Sequence, residues 1–117
     1  MSKVVCVGEV MVELARGSDG RFGLAYGGDT FNTAVYLARA GVDVAYATAL
    51  GDDTFSSEIL ALGAAEAVDM SLVPRLRGRV PGLYLITTDD AGERSFNYWR
   101  DTAPARTLFE ADGWQQV

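Results

Sequence analysis

The segment Gly27-Gly28-Asp29-Thr30-Phe31-Asn32-Thr33-Ala34 combines residue types that can hold an oxygen-rich ligand. A glycine pair just ahead of a helix lets a ligand approach the backbone, and the N–H groups of a helix's first turn bind oxygen atoms. Asn32 can donate to and accept from a hydroxyl at once. Gly28, Asp29, Thr30 and Asn32 are therefore candidate contacts, although a plain loop uses glycine pairs in the same way. A second group lies near the end of the chain: Tyr84, then Tyr98-Trp99-Arg100. Tyrosine offers a hydroxyl to a ligand while its ring packs on an apolar face. An arginine can bind a carboxylate in bidentate fashion, worth about 1.5–3 kcal/mol where partly shielded. Ordinary strand aromatics and a solvated strand-end charge would read alike.

Other charged residues have plainer readings. Arg75, Arg77 and Arg79 alternate and suit an exposed approach to a strand better than a phosphate patch. Asp89, Asp90 and Glu93 read as a solvated hairpin tip, because no further ligands are spaced to close a metal site. Glu9 and Glu13 flank the exit of the first strand.

Composition removes whole classes of function. The 117 residues carry a net charge of −6 and no histidine. An acidic chain is a poor partner for nucleic acid or an anionic membrane. Without histidine there is no Ser-His or Cys-His nucleophile pair, nor the commonest zinc ligand. Cys6 is the single cysteine, so no internal disulfide forms; it reads as a small buried hydrophobe, and a cytoplasmic location is expected. No apolar run is long enough to span a membrane, and the start is too short for a signal peptide.

These side chains need elements to position them. Val4–Val7, ending at Gly8, reads as a buried parallel strand. Met11–Ala15 and Arg21–Ala25 flank a Gly-rich turn. Asp29 or Thr30 is expected to cap a helix carrying Phe31, Ala34, Val35 and Ala38 and closed by Gly41. Val42–Leu50 reads as a buried strand, and Asp52 or Asp53 as the cap of a second helix with Phe55, Ile59, Leu60 and Leu62. This order is a βαβ unit with a small β excursion. Pro81–Thr88 and Arg94–Arg100 then predict an antiparallel hairpin, with Leu83 and Leu85 on one face, Tyr84 and Ile86 on the other, and Phe96 and Tyr98 sharing a face. Such a half-exposed flap suits a ligand cover. Ala103–Phe109 predicts a short helix, and Trp114-Gln115-Gln116-Val117 closes the chain without a completed element.

The spacing Asn32-x-Ala34, then Gly41 and Gly51, resembles the amino-terminal signature of the ribokinase-like (PfkB-type) carbohydrate kinases, and Gly51-Asp52-Asp53-Thr54-Phe55 looks like their second conserved turn. Within that family the wording is most similar to the 2-keto-3-deoxygluconate kinases: Gly27 to Asn32, Leu83-Tyr84-Leu85-Ile86, Gly92-Glu93-Arg94-Ser95-Phe96 and Tyr98-Trp99-Arg100-Asp101. Asp29-Thr30-Phe31 departs from the general sugar-kinase pattern, where a small residue or Pro precedes the Asn; the sugar-acid subfamily tolerates it.

The resemblance implies an α/β, ribokinase-like fold: a partial Rossmann-like parallel sheet with flanking helices and an inserted β lid. It implies one partial domain over 1–117, with the α/β core at about 1–10, 25–75 and 101–117 and the lid at about 11–24 and 81–99. The loop at Gly28–Asn32 would bind substrate hydroxyls, Tyr84 would line the sugar pocket, and Tyr98, Trp99 and Arg100 would hold the acid end. Such kinases often place a polar residue at the substrate near Glu9. A small-molecule sugar acid is the implied substrate, with ATP and Mg²⁺ serving a longer parent protein and no cofactor, metal or catalytic residue expected in this chain, which is read as catalytically incomplete. Nothing in it resembles Asp-Thr-x-Gly-Ala-Gly-Asp, and it has no Gly-x-x-x-x-Gly-Lys. A homodimer through the lid is implied as well. The alternatives are a fructokinase- or ribokinase-type fragment, against which Tyr98-Trp99-Arg100 argues, and a non-catalytic sugar-binding or dimerisation module.

Overall fold

A computed structural model describes residues 3–110. Met1, Ser2, the part of the expected 101–117 core segment beyond 110, and the closing Trp114–Val117 lie outside the described residues. In chain order the elements are β1 (Val4–Val7), β2 (Met11–Arg16), β3 (Phe22–Gly27), α1 (Asp29–Arg39), β4 (Val44–Ala47), β5 (Leu50–Gly51), α2 (Thr54–Ala65), β6 (Asp69–Leu72), β7 (Arg75–Leu76), β8 (Leu83–Thr88) and β9 (Arg94–Trp99). A 3₁₀ turn at Pro104–Thr107 stands where the short helix was expected.

One sheet has the order β1-β4-β6, with every pairing parallel. β4 lies between the other two and is wholly buried. Helix α1 packs Phe31 and Ala34 against it, and the Phe31 ring meets Tyr46 edge to face at 5.3 Å. Val10, Leu50, Ile59 and Val68 complete this core. β1 departs from the expected buried strand: Val4, Val5 and Val7 are 42%, 36% and 38% exposed. The physical reason is position. Among the described residues β1 pairs only with β4, and a parallel strand is buried only when its edge and both faces are covered. Cys6 is half-buried against the core.

The helix ends follow local chemistry. Neither Asp29 nor Thr30 caps α1. Gly28 is the N-cap, at φ 150°, and no side chain caps the helix. At its other end Gly41, at φ 87°, donates to Ala38, and Val42 donates to Leu37, the paired bonds of a glycine-terminated helix. Asp53 caps α2 as expected, accepting from the N–H groups of Phe55 and Ser56. The end of α2 makes the corresponding bonds with Ala67 at φ 62°, a left-handed position filled without glycine.

The expected strand Val42–Leu50 is two elements, because after Ala47 the chain leaves the first sheet and Leu50–Gly51 pairs with β7 instead. Arg75, read as part of an exposed approach, is exposed but ties this corner together: its guanidinium donates to the Gly51 and Asp53 carbonyls and to the Ser57 hydroxyl.

A second sheet has the order β3-β2-β8-β9. β2–β3 and β8–β9 are antiparallel hairpins, joined through a parallel pairing of β2 with β8. The Asp89 carboxylate accepts from the N–H groups of Ala91 and Glu93 and closes the β8–β9 turn. The register sets Ala25, Glu13, Tyr84 and Tyr98 in one row across the four strands. Because side chains alternate, the next residues along form an aliphatic opposite face of Val12, Leu14, Leu24 and Leu83. Among the described residues no helix is long and apolar enough to cross a membrane.

Candidate functional site

A cleft of about 490 Å³ opens between the start of α1 and the aromatic face of the second sheet. Its helix side is formed by Gly28, Asp29, Thr30 and Asn32, and its sheet side by Tyr84, Phe96, Tyr98 and Arg100, with Glu9 and Met11 also lining it. The helix side follows from Gly28. A side chain there would place its Cβ 2.4 Å from the Glu9 carbonyl, so only glycine lets the chain enter α1 this close to the strand. The N–H groups of the first turn, which a helix leaves without internal partners, receive no side-chain cap. Thr30 is anchored by a 2.8 Å hydrogen bond between its hydroxyl and that of buried Tyr46, which fixes the start of α1 on β4. Asp29 and Asn32 are exposed.

The sheet side follows from strand alternation. Arg94, Phe96, Tyr98 and Arg100 fall on one face of β9 and its continuation. The Arg100 guanidinium lies 5.1 Å from the Tyr98 ring centre, and that of Arg94 5.4 Å from Phe96. Tyr84, opposite Tyr98 on β8, stacks on it at 5.9 Å. Trp99 does not join them. The same alternation points it to the other face, 57% exposed, beside Val80, Pro81 and Leu83. Of the residues singled out in the sequence, Gly28, Asp29, Thr30, Asn32, Tyr84, Tyr98 and Arg100 come together, and Trp99 is the one left out.

Glu9 sets the electrostatics of the floor. Its Oε1 lies 3.8 Å from Arg100 Nη1, while its Oε2 is buried without a hydrogen-bond partner. Gly82 makes room for both residues, since a Cβ there would lie 2.6 Å from Glu9 Oε2 and 2.9 Å from Arg100 Cβ. Burial raises the Glu9 carboxyl above its ordinary value, against the opposing charges of Arg100 and Arg106. The Tyr84 phenol is pushed well up, first by burial and then by its hydrogen bond to Glu13 and that residue's charge. The cleft thus presents backbone donors on one wall and, on the other, aromatic rings ending in a half-exposed guanidinium. This arrangement suits a small polyhydroxylated ligand with an anionic end.

Reading the sequence missed three lining residues. Phe96 carried a usable signal, since it shares a strand face with Tyr98. Glu9 was noted at the strand exit but left out of the site. Met11 carries no polar chemistry to mark it.

Comparison with known proteins gives this cleft its context. Residues 1–116 match the model of the pfkB family of carbohydrate kinases. The chain belongs to that family. This pfkB chain is 47% identical over 115 residues to 2-dehydro-3-deoxygluconokinase of Escherichia coli K12, covering 94% of the chain and 37% of the relative. It is 32% identical over 108 residues to a fructokinase of Escherichia coli, covering 92% of the chain and 34% of the relative. Among solved structures, ATP-bound fructokinase from Xylella fastidiosa superimposes with a TM-score of 0.80 at 28% identity, covering 88% of this chain and 32% of that one. The pfkB chain has the ribokinase-like α/β fold of these enzymes, and it spans little more than a third of the length of the curated relatives it matches. Among its described residues no group of three or more Cys, Asp or Glu side chains gathers to hold a metal ion.

Proposed function

We propose that this chain forms the substrate-binding part of an ATP-dependent kinase that phosphorylates 2-keto-3-deoxygluconate. The carrying observation is Arg100, set beside Tyr98 and Tyr84 at the end of a cleft whose other wall is the uncapped start of α1. A net charge of −6 repels an anion at long range, so an acidic ligand needs local positive charge. Arg100 holds the carboxylate; Gly28, Asp29, Thr30 and Asn32 hold hydroxyls; and Tyr84 and Tyr98 pack on the carbon skeleton. Trp99 lies on the far face and has no part. The greater identity to 2-dehydro-3-deoxygluconokinase than to fructokinase supports the acidic ligand over a neutral sugar.

Strands β2, β3, β8 and β9 act as a lid over this ligand. Their aliphatic face, where Leu24 is 50% and Phe22 46% exposed, packs on a second copy, and a native mass measurement reporting only monomer would contradict that pairing. ATP and Mg²⁺ serve the longer kinase, and this chain alone gives no detectable ATP-dependent phosphorylation. Turnover by the 117-residue chain, abolished in Arg100→Ala, would overturn that statement. Calorimetry of the chain with 2-keto-3-deoxygluconate and with fructose tests the ligand: the sugar acid binds more tightly, and equal or reversed affinities reject the reading.

A further inference from the structure

Glu13 lines no part of the cleft, yet it meets Tyr84 from 71 positions away in sequence, where the Tyr84 hydroxyl donates to Glu13 Oε1. The contact is built by the register, which sets Glu13 on β2 directly beside Tyr84 on β8. It is also built by Gly27, where a Cβ would lie 2.7 Å from the Tyr84 hydroxyl oxygen and 3.5 Å from Glu13 Oε1. A side chain at Gly27 would crowd the Tyr84 hydroxyl and force it to shift. A phenol has one proton to give. Once Glu13 accepts it, the Tyr84 oxygen turns only lone pairs toward the cleft.

We propose that Glu13 is a positioning residue: by accepting the Tyr84 hydroxyl proton in a hydrogen bond, it makes Tyr84 a pure acceptor, so that a ligand's hydroxyl end lies against Tyr84 and its carboxylate against Arg100. The proposal rests on the sugar-acid reading of the cleft. A carboxylate at Tyr84 would meet lone pairs and the Glu13 charge together, whereas a hydroxyl there donates its own proton and gains a hydrogen bond. The charged and titratable groups acting on Tyr84 are Glu13 from β2 and Arg94 and Tyr98 from β9. Arg94 opposes the carboxylate's effect without touching the hydrogen bond.

Two measurements on the 117-residue chain test this. The first follows the tyrosine ring carbons by NMR against pH in isotope-labelled protein, with the Tyr84 signal assigned by its loss in Tyr84→Phe. Glu13→Gln brings the Tyr84 titration down, and a titration unchanged by Glu13→Gln overturns the proposal. The second compares binding of 2-keto-3-deoxygluconate with binding of 2-ketohexanoate, which keeps the keto acid and lacks the hydroxyls. Glu13→Gln weakens the hydroxylated ligand roughly five- to tenfold, leaves the other unchanged, and adds no loss in a Tyr84→Phe background. Equal losses for both ligands reject Glu13 as a positioning residue. A wild-type chain that binds neither ligand rejects the sugar-acid reading and the ligand-orienting half of this proposal, while the Tyr84 titration still decides the hydrogen bond.

Discussion

Arg100 and Glu9 share the floor of the cleft, and their roles separate on substitution. Arg100 is half-exposed and stacked on Tyr98, so losing it costs the fold little. Arg100→Ala is expected to weaken 2-keto-3-deoxygluconate binding about 10- to 150-fold, the equivalent of a shielded arginine–carboxylate hydrogen bond, with the melting temperature nearly unchanged. Arg100→Lys recovers only part of the affinity, because an ammonium keeps the charge without the planar fork. Glu9 behaves in the opposite way. Burial raises its pKa above 4.5, so the fold prefers it protonated, and its contribution to stability falls as pH rises past the unfolded value. Glu9→Gln is therefore expected to raise the melting temperature at pH 7 and to have little effect below pH 4; no difference between the two pH values would contradict this.

The elements show where local chemistry was enough and where it was not. Both helices were legible, from apolar spacing in Phe31 and Ala34 and from Asp53, whose cap forms as read. Replacing that cap, Asp53→Ala, is expected to cost about 0.5–2 kcal/mol in denaturant unfolding. The β8–β9 hairpin was legible from its turn and its alternation. Strand β6 was not, because Asp-Met-Ser-Leu alternates over only four residues and contains no β-branched or aromatic side chain, and its place is set by pairing with β4. The cap of α1 was misplaced because Asp29 and Thr30 are good capping types, whereas close packing of Gly28 on Glu9 starts the helix one residue earlier than a capping Asp29 would. Trp99 entered the site through the family resemblance, while the strand period turns it to the face opposite Tyr98 and Arg100. At the end of α2 the left-handed residue is Ala67. Ala67→Gly is expected to stabilise the chain by about 0.5–1 kcal/mol by removing the Cβ conflict, less glycine's added entropy when unfolded.

Across the whole molecule, the parallel sheet is clasped by Lys3, ahead of β1, donating to Asp69 of β6 at 2.8 Å. This bond, followed by those from Ser71, holds the Asp69 carboxyl well below its ordinary value of 3.8. The sign follows directly: the stabilisation is present in full above pH 3.8 and is lost as pH falls from there toward the folded-state value. Asp69→Asn is thus expected to flatten the acid limb of the stability curve below pH 4 while leaving ligand contacts alone. No local pattern in the sequence pairs Lys3 with a residue 66 positions on, just as none pairs Glu13 with Tyr84; both contacts exist only once the sheet orders are set.

The central claim is that one cleft, between the start of α1 and the aromatic face of the second sheet, binds a sugar acid. Backbone and side-chain NMR of the chain titrated with 2-keto-3-deoxygluconate tests it most directly. Shifts concentrated at Gly28, Asn32, Tyr84, Tyr98 and Arg100 are the predicted result. Shifts confined to Val12, Leu24, Leu83 and Trp99 on the opposite face, or none at millimolar ligand, would contradict it.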